Sequence, residues 1–127
     1  MNEENKTILI IEDEKAIYMP LEILLKREGF KVKIAKDGEE AVEILEKTEL
    51  IDLVLLDLVL PKINGFEIFK KIKENPKTQF TPVMIISNLG REEEIALGMA
   101  LGAIKYFVKS QTTPFEIVKA VKKNLLN

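Results

Sequence analysis

The sequence contains no cysteine, histidine or tryptophan, and these absences exclude several classes of function. Without Cys and His, the chain cannot ligate zinc as a finger, ligate haem, attack with a thiol or assemble a Ser-His-Asp triad. An excess of basic charge is also missing, because 19 Lys and Arg face 21 Asp and Glu. A nucleic-acid-binding domain normally carries a basic excess, so we expect no direct contact with nucleic acid.

Long hydrophobic runs are missing as well. The longest apolar runs, such as 8–11 and 53–56, have four residues, whereas a membrane-spanning helix needs about 20. Residues 1–6 are polar and acidic where a secretory signal would be basic and then apolar. We therefore expect a cytoplasmic protein without membrane contact, folded as a single domain over 1–127 with an ordered core of about 7–126.

Short apolar runs predict five strands, and amphipathic spacing predicts a helix after each of them. The predicted strands are 7–11, 31–35, 51–56, 83–86 and 104–108. Apolar positions indicate helices around 17–25, 41–45, 66–72, 95–99 and 117–125. Because hairpin signals are absent, crossovers must connect the strands, which indicates an α/β fold of three layers with a parallel sheet between helices. Strand 31–35 alternates apolar and polar residues, so we expect it nearer an edge.

Residues that start or interrupt helices refine two of these segments. Thr113 followed by Pro114 is an N-cap and first-turn pair that opens the last helix. Pro20 falls inside the first helical segment, where it cannot donate a hydrogen bond to the carbonyl of Ala16. We therefore expect a bend at Pro20 or a late start of the first helix.

Polar residues follow four of the predicted strands. Glu12 and Asp13 come after the first strand, Asp57 after the third, Ser87 after the fourth and Lys109 after the fifth. The carboxyl ends of parallel strands meet along one side of the sheet, where open α/β folds bind ligands. Three carboxylates about 5 Å apart would repel by roughly 3 kcal/mol per pair at an effective dielectric near 20, so a cation is required. Lys109 supplies one charge, and Mg²⁺ or Mn²⁺ would supply the rest.

This set of residues is suited to phosphoryl transfer, which depends on positioning and on neutralising phosphoryl charge. A carboxylate such as Asp57 can itself be the nucleophile. Each residue also has a simpler interpretation: Glu12 and Asp13 could be acids at a helix start, Ser87 a turn residue and Lys109 a surface lysine. Asp57 favours the functional interpretation, since an idle acid closing an apolar strand would be desolvated without benefit.

Five segments of the sequence resemble the receiver domain of two-component response regulators, and the resemblance runs from Thr7 to about Leu126. They are IEDE at 11–14, LLDLVLPKING at 55–65, SN at 87–88, GA at 102–103 and YFVK at 106–109. Together these segments are highly specific, although none would be so alone. The resemblance implies a flavodoxin-like sheet with strand order 2-1-3-4-5, as in the chemotaxis regulator of this family.

The resemblance also implies a role for each residue of the acidic site. Asp57 would be the phosphorylated aspartate, and Lys109 would pair with the phosphoryl group. Glu12, Asp13 and Asp57, with the backbone carbonyl of Val59, would hold Mg²⁺. The chain would then not be an enzyme, apart from Mg²⁺-dependent self-phosphorylation and autodephosphorylation.

Two further residues would form a switch according to the resemblance. Ser87 would donate its hydroxyl to a phosphoryl oxygen, and Tyr106 would turn inward with the same loop. The donor would be a histidine kinase or phosphotransfer protein, because this chain has no histidine. A downstream protein would bind the face formed by the fourth helix, fifth strand and fifth helix, and activation could produce a homodimer.

The sequence departs from the family at two positions and leaves alternatives open. Ser110 stands where the family usually has Pro, and Asn88 where a small residue is common, which keeps open a pseudo-receiver that is never phosphorylated. A phosphatase of the haloacid dehalogenase type would need a second Asp where this chain has Val59. A flavin or nucleotide binder would need a glycine-rich phosphate loop that the sequence lacks. The chain could also be a fragment of a longer regulator.

Overall fold

The computed structural model describes residues 6–47 and 50–126, so the expectations for residues 1–5 and 127 lie outside the described residues. Five strands alternate with five helices along these ranges. The strands are β1 Thr7–Ile11, β2 Lys31–Ala35, β3 Leu53–Leu56, β4 Val83–Ser87 and β5 Lys105–Val108. The helices are α1 Lys15–Arg27, α2 Gly38–Lys47, α3 Gly65–Glu74, α4 Glu92–Ala100 and α5 Pro114–Leu125.

All strand pairs are parallel, and the sheet has the order β2-β1-β3-β4-β5. Alternate residues of each strand enter two separate cores. Ile8 and Ile10 pack with residues of α1 and α5, whereas Leu9 and Ile11 pack with residues of α2 and α3. The predicted three-layer α/β fold and its strand order are therefore confirmed. Among the described helices, none has the length and apolar character that crossing a membrane requires.

Burial along the sheet explains why its strands differ in composition. β1, β3 and β4 lie inside the sheet and are covered on both faces, so their residues are almost all apolar and buried. β2 is an edge strand in which Lys31 and Lys33 are exposed. The prediction that strand 31–35 lies near an edge is confirmed.

The third strand is shorter than the predicted 51–56, because β3 begins only at Leu53. Asp52 still contacts β1 through two hydrogen bonds: its N–H donates to the carbonyl of Thr7 at 2.8 Å, and its Oδ2 accepts the N–H of Thr7 at 2.7 Å. The acceptor for the Thr7 N–H is thus a carboxylate and not a backbone carbonyl, which periodicity alone does not reveal. The fifth strand also begins one residue later than predicted, at Lys105.

The first helix passes through Pro20 without ending. It begins at Lys15, so the predicted late start is wrong. Pro20 removes a single donor, the one that would reach the carbonyl of Ala16. Leu21 and Leu25, which are fully buried against the sheet and α5, hold the helix together by packing.

The fourth and fifth helices follow their predicted apolar faces to different degrees. In α4 the fully buried residue is Gly98, whereas Met99, which was predicted to mark the apolar stripe, is 43% exposed. In α5 the predicted cap is confirmed, since the Thr113 hydroxyl accepts the N–H of Glu116 and Pro114 begins the helix. The cap fixes the position at which α5 begins.

Candidate functional site

Four polar residues stand at the carboxyl ends of four strands. Glu12 follows β1, Asp57 follows β3, Ser87 ends β4 and Lys109 follows β5. The parallel register brings these ends together: the N–H of Asp57 donates to the carbonyl of Ile11 at 2.9 Å, directly beside Glu12. Glu12, Asp57 and Ser87 are all at most 2% exposed, so the site is recessed into the sheet.

Three carboxylates converge at this site as the sequence predicted. Oxygen atoms of Glu12, Asp13 and Asp57 all lie within 4.8 Å of one another. Backbone donors orient two of them: Glu12 Oε2 accepts the N–H of Glu14 at 2.9 Å, and Asp57 Oδ1 accepts the N–H of Val59 at 3.1 Å. Asp13 is exposed and closes the solvent side of the cluster.

Lys109 is the cation of the site, and its side chain is only 8% exposed. Its Nζ lies 2.8 Å from Glu12 Oε1, 3.0 Å from Asp57 Oδ2 and 2.7 Å from Glu14 Oε1. One ammonium therefore contacts three carboxylates at once. Lys109 reaches Asp57 although the next residue is Ser110, so the departure from the family at that position does not misdirect the lysine.

Burial and neighbouring charges shift the pKa values of Glu12, Asp57 and Lys109. Burial raises the pKa of Glu12 to about 7, against the lowering effect of Lys109 and of the Glu14 N–H. Burial likewise raises the pKa of Asp57, although the Val59 N–H and Lys109 oppose the shift. For Lys109, burial alone would lower the pKa, but contacts with Glu12, Glu14 and Asp57 outweigh it and raise the pKa above its usual value. The ammonium thus stays charged beside carboxylates that hold their protons unusually well.

The donor set fits a hard divalent cation. Among the described side chains, Glu12 Oε1 is buried without a hydrogen-bond donor. Lys109 Nζ lies close enough to Glu12 Oε1 for an ion pair. The angles at these two atoms are nevertheless unsuitable for a hydrogen bond, so the lone pairs of Glu12 Oε1 are not satisfied by Lys109. An unsatisfied buried carboxylate oxygen near two further carboxylates matches the oxygen ligands that Mg²⁺ and Mn²⁺ prefer.

Ser87 and Tyr106 meet at the loop between β4 and α4. The Ser87 hydroxyl accepts the N–H of Leu89 at 3.2 Å, and the Tyr106 hydroxyl donates to the carbonyl of Leu89. The same loop is tied to the segment after β5, because the N–H of Ser110 donates to Asn88 Oδ1 at 3.2 Å. The Asn88 oxygen, expected to lie beside the site, is therefore engaged by Ser110.

The simpler interpretations fit these positions poorly. The N-cap of α1 is Glu14, and Glu12 only reaches its N–H, so Glu12 and Asp13 do not occupy the first turn. Ser87 is fully buried at the end of β4, which excludes an exposed turn residue. Lys109 is nearly buried and is not a surface lysine.

The sequence did not reveal the structural contribution of Gly65. A Cβ on Gly65 would lie 2.5 Å from the carbonyl oxygen of Asp57 and 2.4 Å from Cα of Leu58. Glycine thus allows the start of α3 to pack directly on the backbone that carries Asp57. Glu14, the third partner of Lys109, was also missed, since its contact depends on how two long side chains are oriented.

The fold and the site together define a flavodoxin-like α/β domain with a buried acidic centre and a lysine at the carboxyl ends of its strands. The model of the response regulator receiver domain family matches residues 8–122, and the chain belongs to this family. Receiver domains are non-catalytic modules of phosphorylation-based two-component signalling, and they interact with histidine kinases and downstream effectors.

Individual proteins agree with this assignment. The chain is 37% identical over 115 residues to the phosphate regulon transcriptional regulatory protein PhoB of Rhizobium meliloti, covering 91% of this chain and 50% of that protein. The chain spans about half the length of the curated relatives it matches first.

Two solved structures are similar over nearly the whole chain. Chemotaxis response regulator CheY4 of Vibrio cholerae has a TM-score of 0.85 at 27% identity, covering 94% of this chain and 98% of that one. The Mn²⁺-bound form of response regulator Rcp1 has a TM-score of 0.82 at 30% identity, with coverages of 93% and 92%. The Rcp1 structure contains a divalent cation, for which the present donor set is suited.

Proposed function

We propose that Asp57 accepts a phosphoryl group from a histidine kinase or phosphotransfer protein in a reaction that requires Mg²⁺ or Mn²⁺. The observation that carries this proposal is the position of Asp57, which is 2% exposed and has Lys109 Nζ 3.0 Å from its Oδ2. In the reaction a carboxylate oxygen of Asp57 attacks phosphorus while the bond from phosphorus to the donor atom breaks. The leaving group keeps that electron pair and takes a proton from solvent.

The chain's own residues support this transfer in distinct ways. Lys109 places its positive charge beside the position that a phosphoryl oxygen on Asp57 would occupy. The Val59 N–H fixes the orientation of the Asp57 carboxylate. Glu12, Asp13, Asp57 and the Val59 carbonyl would hold the cation. When bound, the cation supplies positive charge that offsets repulsion between the phosphoryl group and the carboxylates.

Ser87 is suited to sense the phosphoryl group. A hydroxyl has one proton to donate and two lone pairs that accept. Leu89 N–H occupies one lone pair of the Ser87 hydroxyl, and the Ser87 proton is within reach of the Tyr106 hydroxyl. A phosphoryl oxygen would compete with Tyr106 for that proton. Because Tyr106 holds the carbonyl of the same Leu89, a change at Ser87 would be transmitted to Tyr106.

The proposed output surface is formed by α4, β5 and α5. It carries exposed large apolar side chains at Leu97, Met99 and Ile104, which are 49%, 43% and 39% exposed. Such side chains are suited to contact with a downstream protein or a second copy on activation. We propose that this single receiver domain acts in the cytoplasm, without contact of its own to membrane or nucleic acid.

Mass measurement of the protein with Mg²⁺ and acetyl phosphate tests the proposal. We expect a labile gain of one phosphoryl group, which does not occur when EDTA is added before acetyl phosphate and is absent in Asp57→Asn. The matched control is Asp52→Asn, because Asp52 flanks the opposite end of β3 and its replacement can still accept from Thr7. The control should gain the phosphoryl group normally.

Other outcomes would contradict the proposal in recognisable ways. A gain that persists in Asp57→Asn would assign the phosphoryl group to another residue. No gain with either acetyl phosphate or a histidine kinase would indicate a pseudo-receiver. Rapid phosphate release without accumulation of the phosphorylated protein would indicate a phosphatase, although Val59 occupies the position where the second acid of such an enzyme would stand.

A further inference from the structure

Gly98 occupies an unusual position in α4. It is the fully buried residue of that helix, which lies wholly within the described range 50–126, although glycine weakens a helix interior relative to alanine. A Cβ at this position would lie 2.7 Å from Ile85 Cδ1 and 3.1 Å from two ring carbons of Tyr106. The absence of a Cβ therefore leaves room for both Ile85 Cδ1 and the Tyr106 ring.

The inward position of Tyr106 has a direct effect on the neighbouring loop. From this position the Tyr106 hydroxyl reaches the carbonyl of Leu89, while the N–H of Leu89 donates to Ser87. The backbone of Leu89 is thus held by two hydrogen bonds, one from Tyr106 of β5 to its carbonyl and one from its N–H to Ser87 of β4. If the ring left this position, the first of these two contacts would be lost.

Ile85 and Tyr106 would respond differently to a side chain at position 98. Ile85 is 0% exposed in the middle of β4, so it has no free space into which to move. Tyr106 is half-buried on the edge strand β5 and can rotate toward solvent. A methyl group at position 98 would therefore displace mainly the tyrosine ring.

We propose that Gly98 is a positioning residue that holds Tyr106 inward before any phosphoryl group arrives, and that it thereby fixes the loop carrying Ser87. The significance of this position for signalling rests on the proposed function, whereas the position of the ring does not. The conformation with Tyr106 inward would then already be partly populated in the unphosphorylated domain, and so would any binding surface that requires it. The phosphoryl group then shifts this equilibrium by less than it would if the ring started outward.

Tyrosine fluorescence can test this proposal without phosphorylation. The chain has two tyrosines and no tryptophan, so in a Tyr18→Phe background the emission comes from Tyr106 alone. Quenching by acrylamide then reports how exposed the ring is. In this background Gly98→Ala should raise the quenching constant toward that of N-acetyltyrosinamide, because an overpacked methyl group shifts such an equilibrium by roughly tenfold or more.

Two control variants separate the effect of Tyr106 from other causes. Ala96→Gly changes helix propensity at an exposed position of α4 and should leave the quenching constant unchanged. Ile85→Val removes the Cδ1 atom that a Cβ would meet, and Gly98→Ala should still expose Tyr106 in that background. If Gly98→Ala no longer raised the quenching constant once Ile85→Val was present, the space at position 98 would serve Ile85 and not Tyr106, and the proposal would be overturned.

A second measurement tests the connection to the loop. Tyr106→Phe removes only the hydroxyl, so Gly98→Ala and Tyr106→Phe should both speed hydrogen exchange and shift the NMR resonance of the Leu89 amide. Unchanged Leu89 resonances in Gly98→Ala would overturn the proposal. These measurements are independent of phosphorylation: if Asp57 gained no phosphoryl group, the proposed function would fail while the quenching result still decided the role of Gly98.

Discussion

Polar side chains are buried at both ends of the strands. We call the region at the amino ends of the strands the amino side and the region at their carboxyl ends the carboxyl side. The buried polar groups of the two regions have different partners. On the amino side, the hydroxyl of Thr78 donates to the carbonyl of Ile72 at 2.8 Å, and that of Thr81 to the carbonyl of Ile51 at 3.3 Å. On the carboxyl side, the buried groups are charged, and Glu12 Oε1 has no hydrogen-bond donor.

The buried polar groups of the amino side therefore contribute to stability, whereas those of the carboxyl side are suited to binding. Neutral hydroxyls with backbone partners stabilise the loop before β4 and remain satisfied without any ligand. Buried carboxylates with raised pKa values destabilise the empty domain; Lys109 offsets part of that cost, and a bound divalent cation would offset more of it. Removing a buried carboxylate should therefore raise stability at pH 8, whereas removing a buried hydroxyl should lower it, and only substitutions on the carboxyl side should have effects that depend on pH.

Lys109→Met should have the largest effect on stability. It removes the ammonium that contacts Glu12 and Asp57, so two buried carboxylates lose their charge partner. Breaking such a buried arrangement costs roughly 3–5 kcal/mol. Urea unfolding at pH 8 should reveal this loss, and the loss should shrink at pH 5 because the carboxylates take up protons.

The control for this variant is Lys105→Met, which alters an exposed lysine of β5, the strand that Lys109 follows. Its effect should be within about 0.5 kcal/mol, as for most surface substitutions. Equal losses in Lys109→Met and Lys105→Met, or a loss that does not change with pH, would contradict the distinction between the two sides of the sheet.

Glu12→Gln should have an intermediate effect that depends on pH. The pKa of Glu12 is about 7 in the folded chain against 4.5 for the unperturbed group. The folded state therefore binds more protons between these values, so stability falls as pH rises from about 4.5 to about 7. Replacing the acid by Gln should remove a decline of roughly 3 kcal/mol, measured by urea unfolding in EDTA.

A suitable control for Glu12→Gln is Glu43→Gln, because Glu43 is an exposed residue of α2. That variant should retain the full decline with pH. An undiminished decline in Glu12→Gln would mean that the buried carboxylate is not its source, and the contrast between the two sides would lose its electrostatic basis.

Thr78→Val should have the smallest effect, and its sign is opposite to that of Glu12→Gln at pH 8. The variant keeps the shape of the side chain but leaves the carbonyl of Ile72 without its donor. The expected loss of stability is about 1 kcal/mol. It should be the same at pH 5 and pH 8 and with or without Mg²⁺; a loss that varied with Mg²⁺ would show that the two sides are coupled.

The sequence was sufficient to predict the carboxyl ends of the strands to within one residue, since β4 ends at Ser87 and not at the predicted residue 86. Asp57 and Lys109 come directly after apolar strands, and in a parallel sheet such positions must converge whatever the details of packing. The inward residue of α4 could not be predicted in the same way. Its sequence from Ile95 to Ala100 is apolar or small on every side, so periodicity does not single out Gly98. The contact between Lys109 and Glu14 depends on side-chain orientation, which no sequence pattern specifies.

The hydrogen bond between Ser110 and Asn88 has a consequence for how this domain can evolve. The bond requires an N–H at position 110, which proline lacks, and a side-chain acceptor at position 88, which alanine lacks. Ser110→Pro or Asn88→Ala alone removes the bond, but both residues are exposed, so water can satisfy the group that loses its partner. We therefore expect that proline at position 110 and a small residue at position 88 can be introduced one at a time at little cost in stability.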